Sequence, residues 1–114
     1  PVVSQAEILD IRQAAQQTLI STELKHYIIN LVRATRVHPD VAMGASPRAG
    51  IMLMKCCQAL ALIKQQDFVT PDLVQELAHP VIAHRLAVNG DAQFNGRGAD
   101  QIVADIISNL PVPA

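Results

Sequence analysis

From Ala49 to Ile63 the sequence reads AGIMLMKCCQALALI, which is apolar on nearly every face once wound into a helix. Such a helix cannot lie on a surface, so the remaining chain must supply elements that cover it on most sides. Its start is marked by Ser46 at the N-cap and Pro47 at the first helical position. Lys55, Gln58 and Lys64 interrupt the apolar run. It therefore falls short of the ~18 uninterrupted apolar residues that a membrane span needs.

The covering elements are expected to be helices. Half of the 114 residues are hydrophobic, yet aromatic residues make up only 3 % and tryptophan is absent. A core of Leu, Ile, Val, Ala and Met suits packed helices better than strands, which draw on aromatic and β-branched side chains. The length corresponds to one domain with a modest core.

Local signals place the helices. Ser4-Gln5-Ala6-Glu7 has the form of a capping box, with Val3 and Ile8 at the staple positions, and predicts a helix over about 4–18. Ser21-Thr22 opens a second, in which Leu24, Tyr27, Ile28, Leu31, Val32 and Thr35 recur at helical spacing before Pro39. Residues 37–45 read as a loop. Thr70-Pro71-Asp72 repeats the cap-then-proline device and starts a helix that carries Leu73, Val74, Leu77 and Ala78 inward and halts before Pro80. Residues 81–86 allow another turn or two. Two Asn-Gly steps follow, and the first, Asn89-Gly90, suggests a minor hairpin. The last helix begins near Ala99, aligns Ile102, Val103, Ile106, Ile107 and Leu110, and ends at Pro111. The expected fold is all-α, a small bundle of about four to five helices.

Several functions are disfavoured. The net charge of −1 gives no bulk attraction to nucleic acid. His26, His38, His79 and His84 are scattered, so no metal site is expected. Cys56 and Cys57 are neighbours, which cannot form an ordinary bridge with each other and behave as small hydrophobes in an apolar helix. The absence of a disulfide framework fits a reducing, cytoplasmic setting. No signal-peptide pattern opens the sequence. No phosphate-binding GxxxxGK[ST] loop occurs, so these residues alone are expected to be inactive as an enzyme. Beginning at Pro1 rather than Met, the chain reads as a piece cut from a longer protein.

Arg48 stands out. With Ser46 as N-cap it falls in the first helical turn, where the helix already carries about half a positive charge. That pole together with a guanidinium makes a site for a phosphate. A solvated side chain, or a pair with Asp40 in the preceding loop, would also account for it.

The stretches LVRATRVHPDVAMGASPRAG and DFVTPDLVQELAHPVIAHRLAV, with the closing LPVP, resemble the C-terminal helical lid of the MoxR family of AAA+ ATPases. Magnesium-chelatase ATPase subunits have a related lid. The resemblance covers residues 20–113, so residues 20–114 would form the lid and residues 1–19 the helix that connects it to an ATPase core. It implies that Arg48 is the sensor-two arginine, which reaches the γ-phosphate of ATP, and that Ser46 and Pro47 fix its helix start. Arg36, His84 and Arg85 match recurrent family residues; C-capping is expected of Arg36, and interhelix or core–lid contacts of the other two. ATP and Mg²⁺ are implied for the full-length parent, with none expected in these residues. The implied partners are the core of the same chain, other subunits of a homo-oligomeric ring, and von Willebrand factor A domain proteins. A free-standing helical interaction module is the competing expectation. In the isolated domain Arg48 should be exposed and lack a buried protein partner.

Overall fold

The computed structural model describes residues 6–7 and 19–113. Ala6 and Glu7 are helical and exposed; the rest of the helix expected over 4–18 lies outside the described residues. Five helices and one two-stranded ladder follow: α1 (Thr22–Val37), β1 (Val41–Met43), α2 (Pro47–Ile63), α3 (Pro71–Ile82), β2 (Ala87–Val88), α4 (Gly90–Phe94) and α5 (Ala99–Asn109). A 3-10 turn, Ala83–Arg85, leads out of α3.

The apolar segment becomes the central helix, but it is buried along one stripe rather than on most sides, and Ile51, Met52 and Ile63 remain exposed. α2 packs against both α1 and α3, and α5 closes over α1 and α3. Leu53, Cys57 and Ala61 of α2 are fully buried, together with Leu31 of α1, Val74 and Ile82 of α3, and Ile102 and Val103 of α5. The inward stripe of α1 is the one that spacing predicts, Leu24, Tyr27, Ile28, Leu31, Val32 and Thr35. Ser21 caps α1 by accepting from Leu24 N–H at 3.1 Å. No described helix is long and apolar enough to cross a membrane.

Three further expectations are corrected. First, α3 continues through Pro80 to Ile82. Pro80 is exposed and sits in the last turn, so the carbonyl it leaves without a partner, that of Glu76, is on an exposed residue within reach of water. Buried Val81 and Ile82 hold the continuation against the core. Second, residues 37–45 are not all loop, because β1 pairs antiparallel with β2, Val41 opposite Val88 and Met43 opposite Ala87. Third, Asn89-Gly90 makes no hairpin of its own. Asn89 is the N-cap of α4, its Oδ1 accepting from Ala92 N–H at 2.9 Å. Its N–H donates to Asp40 O at 2.9 Å and its Nδ2 to Pro39 O at 2.7 Å, which fastens the end of β2 to the start of β1. An Asn side chain that can cap a helix competes with the turn it could otherwise form.

The described part of the bundle begins at Leu19. Its N–H donates to Asp67 O at 3.1 Å and its carbonyl accepts from Val69 N–H at 2.8 Å, a single parallel bridge beside the start of α3.

Candidate functional site

Ala45 organises the corner where α2 begins. It is buried, and its two backbone polar groups are met by consecutive residues in the last turn of α1, buried Thr35 and exposed Arg36. Its N–H donates to Thr35 Oγ1 at 3.0 Å, and its carbonyl accepts from Arg36 Nε at 3.1 Å. The Thr35 hydroxyl in turn donates to Val32 O at 2.6 Å. Two consecutive residues of α1 thus clasp one residue of the following segment, leaving no buried backbone group of Ala45 unmet. Gly44 completes the clasp by close approach: a Cβ there would lie 2.8 Å from Arg36 Cα and 2.9 Å from Arg36 N. Only a residue without a side chain lets the backbone run so near to α1.

From this anchor the chain turns directly into α2. Ser46 is extended and occupies the N-cap position, and Pro47 begins the helix, but the Ser46 hydroxyl makes no capping bond. Ala49 N–H closes instead onto the Ser46 carbonyl at 2.9 Å. The first turn holds no acidic residue. Arg48 is exposed and has no hydrogen bond or ion pair with any described residue. Ser46 and Pro47 are exposed beside it. An unneutralised positive pole and an unpartnered guanidinium therefore share one exposed corner, an arrangement suited to an anion.

The pair with Asp40 does not form. Asp40 Oδ2 lies 2.8 Å from Arg97 Nε, and Arg97 Nη2 also reaches Asp105 Oδ2. The Nε–H is not aimed at the Asp40 oxygen, so that contact is an ion pair without a hydrogen bond. His38 joins the group: its Nδ1 accepts from Asp40 N–H at 3.1 Å and its Nε2 lies 3.9 Å from Asp105 Oδ2. Arg97 carries no motif, and its two carboxylate partners stand 57 positions before it and eight after. The local sequence holds no signal of that meeting. The Thr35 clasp did leave one, since a hydroxyl in an otherwise apolar inward stripe must find partners when buried.

The remaining candidates divide differently from expectation. Arg36 does not cap its own helix; it serves the next segment, because Ala45 stands within reach of Nε while His38 N–H already closes α1 onto Ala34 O. The capping role falls to Arg85, whose Nε donates to Val81 O at 2.9 Å at the end of α3. His84 is exposed and lines a depression with His79, Gly98 and Asp100, between the end of α3 and the start of α5. No hydrogen bond or ion pair among the described residues joins His84 or Arg85 to the 44–48 corner.

Among the described residues no group of three or more His, Cys, Asp or Glu is placed to hold a metal ion. Cys57 is fully buried, and burial, aided by neighbouring Cys56, pushes its thiol up to about 12. It is a packing residue, far from the thiolate a nucleophile needs at neutral pH.

The AAA lid domain family matches residues 33–106. The chain is 38 % identical over 113 residues to uncharacterized protein YeaC of Bacillus subtilis (strain 168), a match covering 99 % of this chain and 35 % of that protein. It is 32 % identical over 117 residues to chaperone MoxR1 of Mycobacterium tuberculosis (strain ATCC 25618 / H37Rv), covering 95 % of this chain and 30 % of the relative. The crystal structure of a proposed ATPase from Cytophaga hutchinsonii ATCC 33406 superposes with a TM-score of 0.92 at 31 % identity, over 98 % of this chain and 37 % of the other. The chain thus spans about a third of the length of each of these proteins.

Proposed function

Because this chain belongs to the AAA lid domain family and is the lid of a MoxR-like AAA+ ATPase, we propose that it closes over ATP bound by a core of the same polypeptide and presents Arg48 to the γ-phosphate. The observation that carries this is the exposed, unpartnered Arg48 at a helix start that neither Ser46 nor an acidic residue neutralises. For the lid alone such a charge is mildly unfavourable. It becomes favourable when a phosphate brought by the core sits within reach of the guanidinium and the α2 pole.

The chain's own residues supply aim. Thr35, Arg36 and Gly44 fix Ala45 against α1, and only Ser46 and Pro47 separate Ala45 from Arg48. The fork of donors is therefore carried by a stiff mount and needs little reorganisation to meet phosphoryl oxygens. The phosphate-binding loop and the groups that hold Mg²⁺ would belong to the core. Loss of the γ-phosphate after hydrolysis would release Arg48 and free the lid to rotate against the core, a hinge-type switch. Arg36, His84 and Arg85 keep exposed surface that the core could contact. Assembly of the parent into a homo-oligomeric ring, action as a chaperone-like remodelling machine and partnership with von Willebrand factor A domain proteins extend the proposal by family resemblance.

The test is turnover by the full-length parent. Arg48→Ala should lower ATP hydrolysis by about 10²-fold or more, the scale for removing a preorganised donor from developing charge, while the melting temperature stays near wild type. Arg48→Lys should recover only part of the rate, because a point charge lacks the guanidinium's fork. Wild-type turnover in Arg48→Ala would overturn the assignment.

A further inference from the structure

An open groove of about 450 Å³ runs between α1 and α2. Ile28, Val32 and Gly50 form its floor, and Ile29, Ile51 and Met54 its apolar sides. Ile29 and Ile51 are 45 % and 52 % exposed, so two branched side chains stand uncovered along one trough. The charged residues lining it are Lys25, Arg33 and Arg36, all cations. That excess is local, because acidic residues outnumber Lys and Arg over the whole chain, 10 to 9. The side chains of Lys25 and Arg33 have no hydrogen bond or ion pair with any described residue, and the Arg36 side chain uses only Nε, toward Ala45.

Length and chemistry select the occupant. Residues 25–36 of α1 extend about 16 Å at a rise of ~1.5 Å per residue, which is three helical turns. An apolar trough of that length takes an amphipathic helix with anchors at i, i+3 or i+4, and i+7. Carboxylates beside those anchors would meet Lys25, Arg33 and Arg36. A nucleic acid would leave the isoleucine and methionine surface unused. A second copy suits the groove poorly among the described elements: the apolar faces of α3 and α5 are committed to their own core, α4 has only five residues, and α1 against α1 would set the groove's own cations against one another. The geometry points to a protein-docking site, in which the α1–α2 groove receives an acidic amphipathic helix of a partner protein. This does not depend on any nucleotide role of Arg48.

The experiment uses two synthetic helical peptides with the same leucine stripe, one flanked by glutamates and one by lysines, titrated into the protein. The glutamate peptide should bind roughly tenfold or more tightly than the lysine peptide, lose affinity with added salt, and shift the NMR resonances of Ile28, Ile29, Val32, Ile51 and Met54. Ile29→Glu, at an exposed position, should weaken it to a similar degree. The double variant Lys25→Glu/Arg33→Glu should reverse the preference and favour the lysine peptide. Absence of binding, equal affinity for the two peptides, shifts mapping to another face, or self-association of the protein abolished by Ile29→Glu would each overturn the proposal.

Discussion

Two helices of this domain start with the same device, and the starts are finished differently. At α3, Thr70 accepts from Leu73 N–H at 3.3 Å, Pro71 takes the first position and Asp72 brings a negative charge to the positive pole. At α2, Ser46 makes no capping bond, Pro47 takes the first position and Arg48 adds a second positive charge. The α3 start is complete within the fold. The α2 start is held through the clasp on Ala45, yet its charge meets no partner among the described residues. Firm mounting combined with an unmet charge is what the proposed presentation of Arg48 requires.

The contrast can be broken most forcefully through the mount. Thr35→Val keeps the side-chain shape but leaves Ala45 N–H buried without an acceptor, which should cost about 1–3 kcal/mol in denaturant unfolding. In the parent the same change should also lower ATP turnover, because Arg48 loses its aim. Gly44→Ala should destabilise by about 1–3 kcal/mol, since the added Cβ meets the backbone of Arg36 as well as its Cγ and the backbone cannot move aside freely.

The caps come next. Thr70→Ala should cost about 1 kcal/mol, the usual loss of a working N-cap. Ser46→Ala should cost well under half of that, because its hydroxyl makes no capping bond to lose. Equal losses at the two positions would show that the starts do not differ as described.

The smallest and sharpest effect is one of sign. Arg48→Asp should stabilise the isolated domain by about 0.3–1 kcal/mol and Asp72→Arg should destabilise it by a similar amount, both fading with added salt. In the parent the stabilising Arg48→Asp should be the inactive one. A stability gain purchased with lost turnover is the mark of a residue kept for function.

The sequence carries the helices well because their signals are local. Ser21, Thr70 and Pro71 act within one turn, and the stripe from Leu24 to Thr35 needs only its own spacing. Pro80 misleads for a related reason: a proline tells of one lost hydrogen bond but not that buried Val81 and Ile82 lie just beyond it. The β1–β2 ladder joins segments more than 40 positions apart and is too short to show in either. Arg97 is silent for the same cause, its partners being brought by α5 and the loop after α1. Of the 44–48 corner, the sequence displays Arg48 as a misplaced charge and Thr35 as a hydroxyl in need of partners, while the identity of its partner, Ala45, appears only when the two meet in space.

The most direct test of the presented arginine is the crystal structure of the full-length parent with a non-hydrolysable ATP analogue, beside its ADP complex. The Arg48 guanidinium should lie about 2.7–2.9 Å from a γ-phosphate oxygen in the first and be withdrawn from the nucleotide in the second, with Thr35, Arg36 and Ala45 unchanged in both. A closed lid over the analogue with Arg48 still in solvent would contradict the proposed presentation.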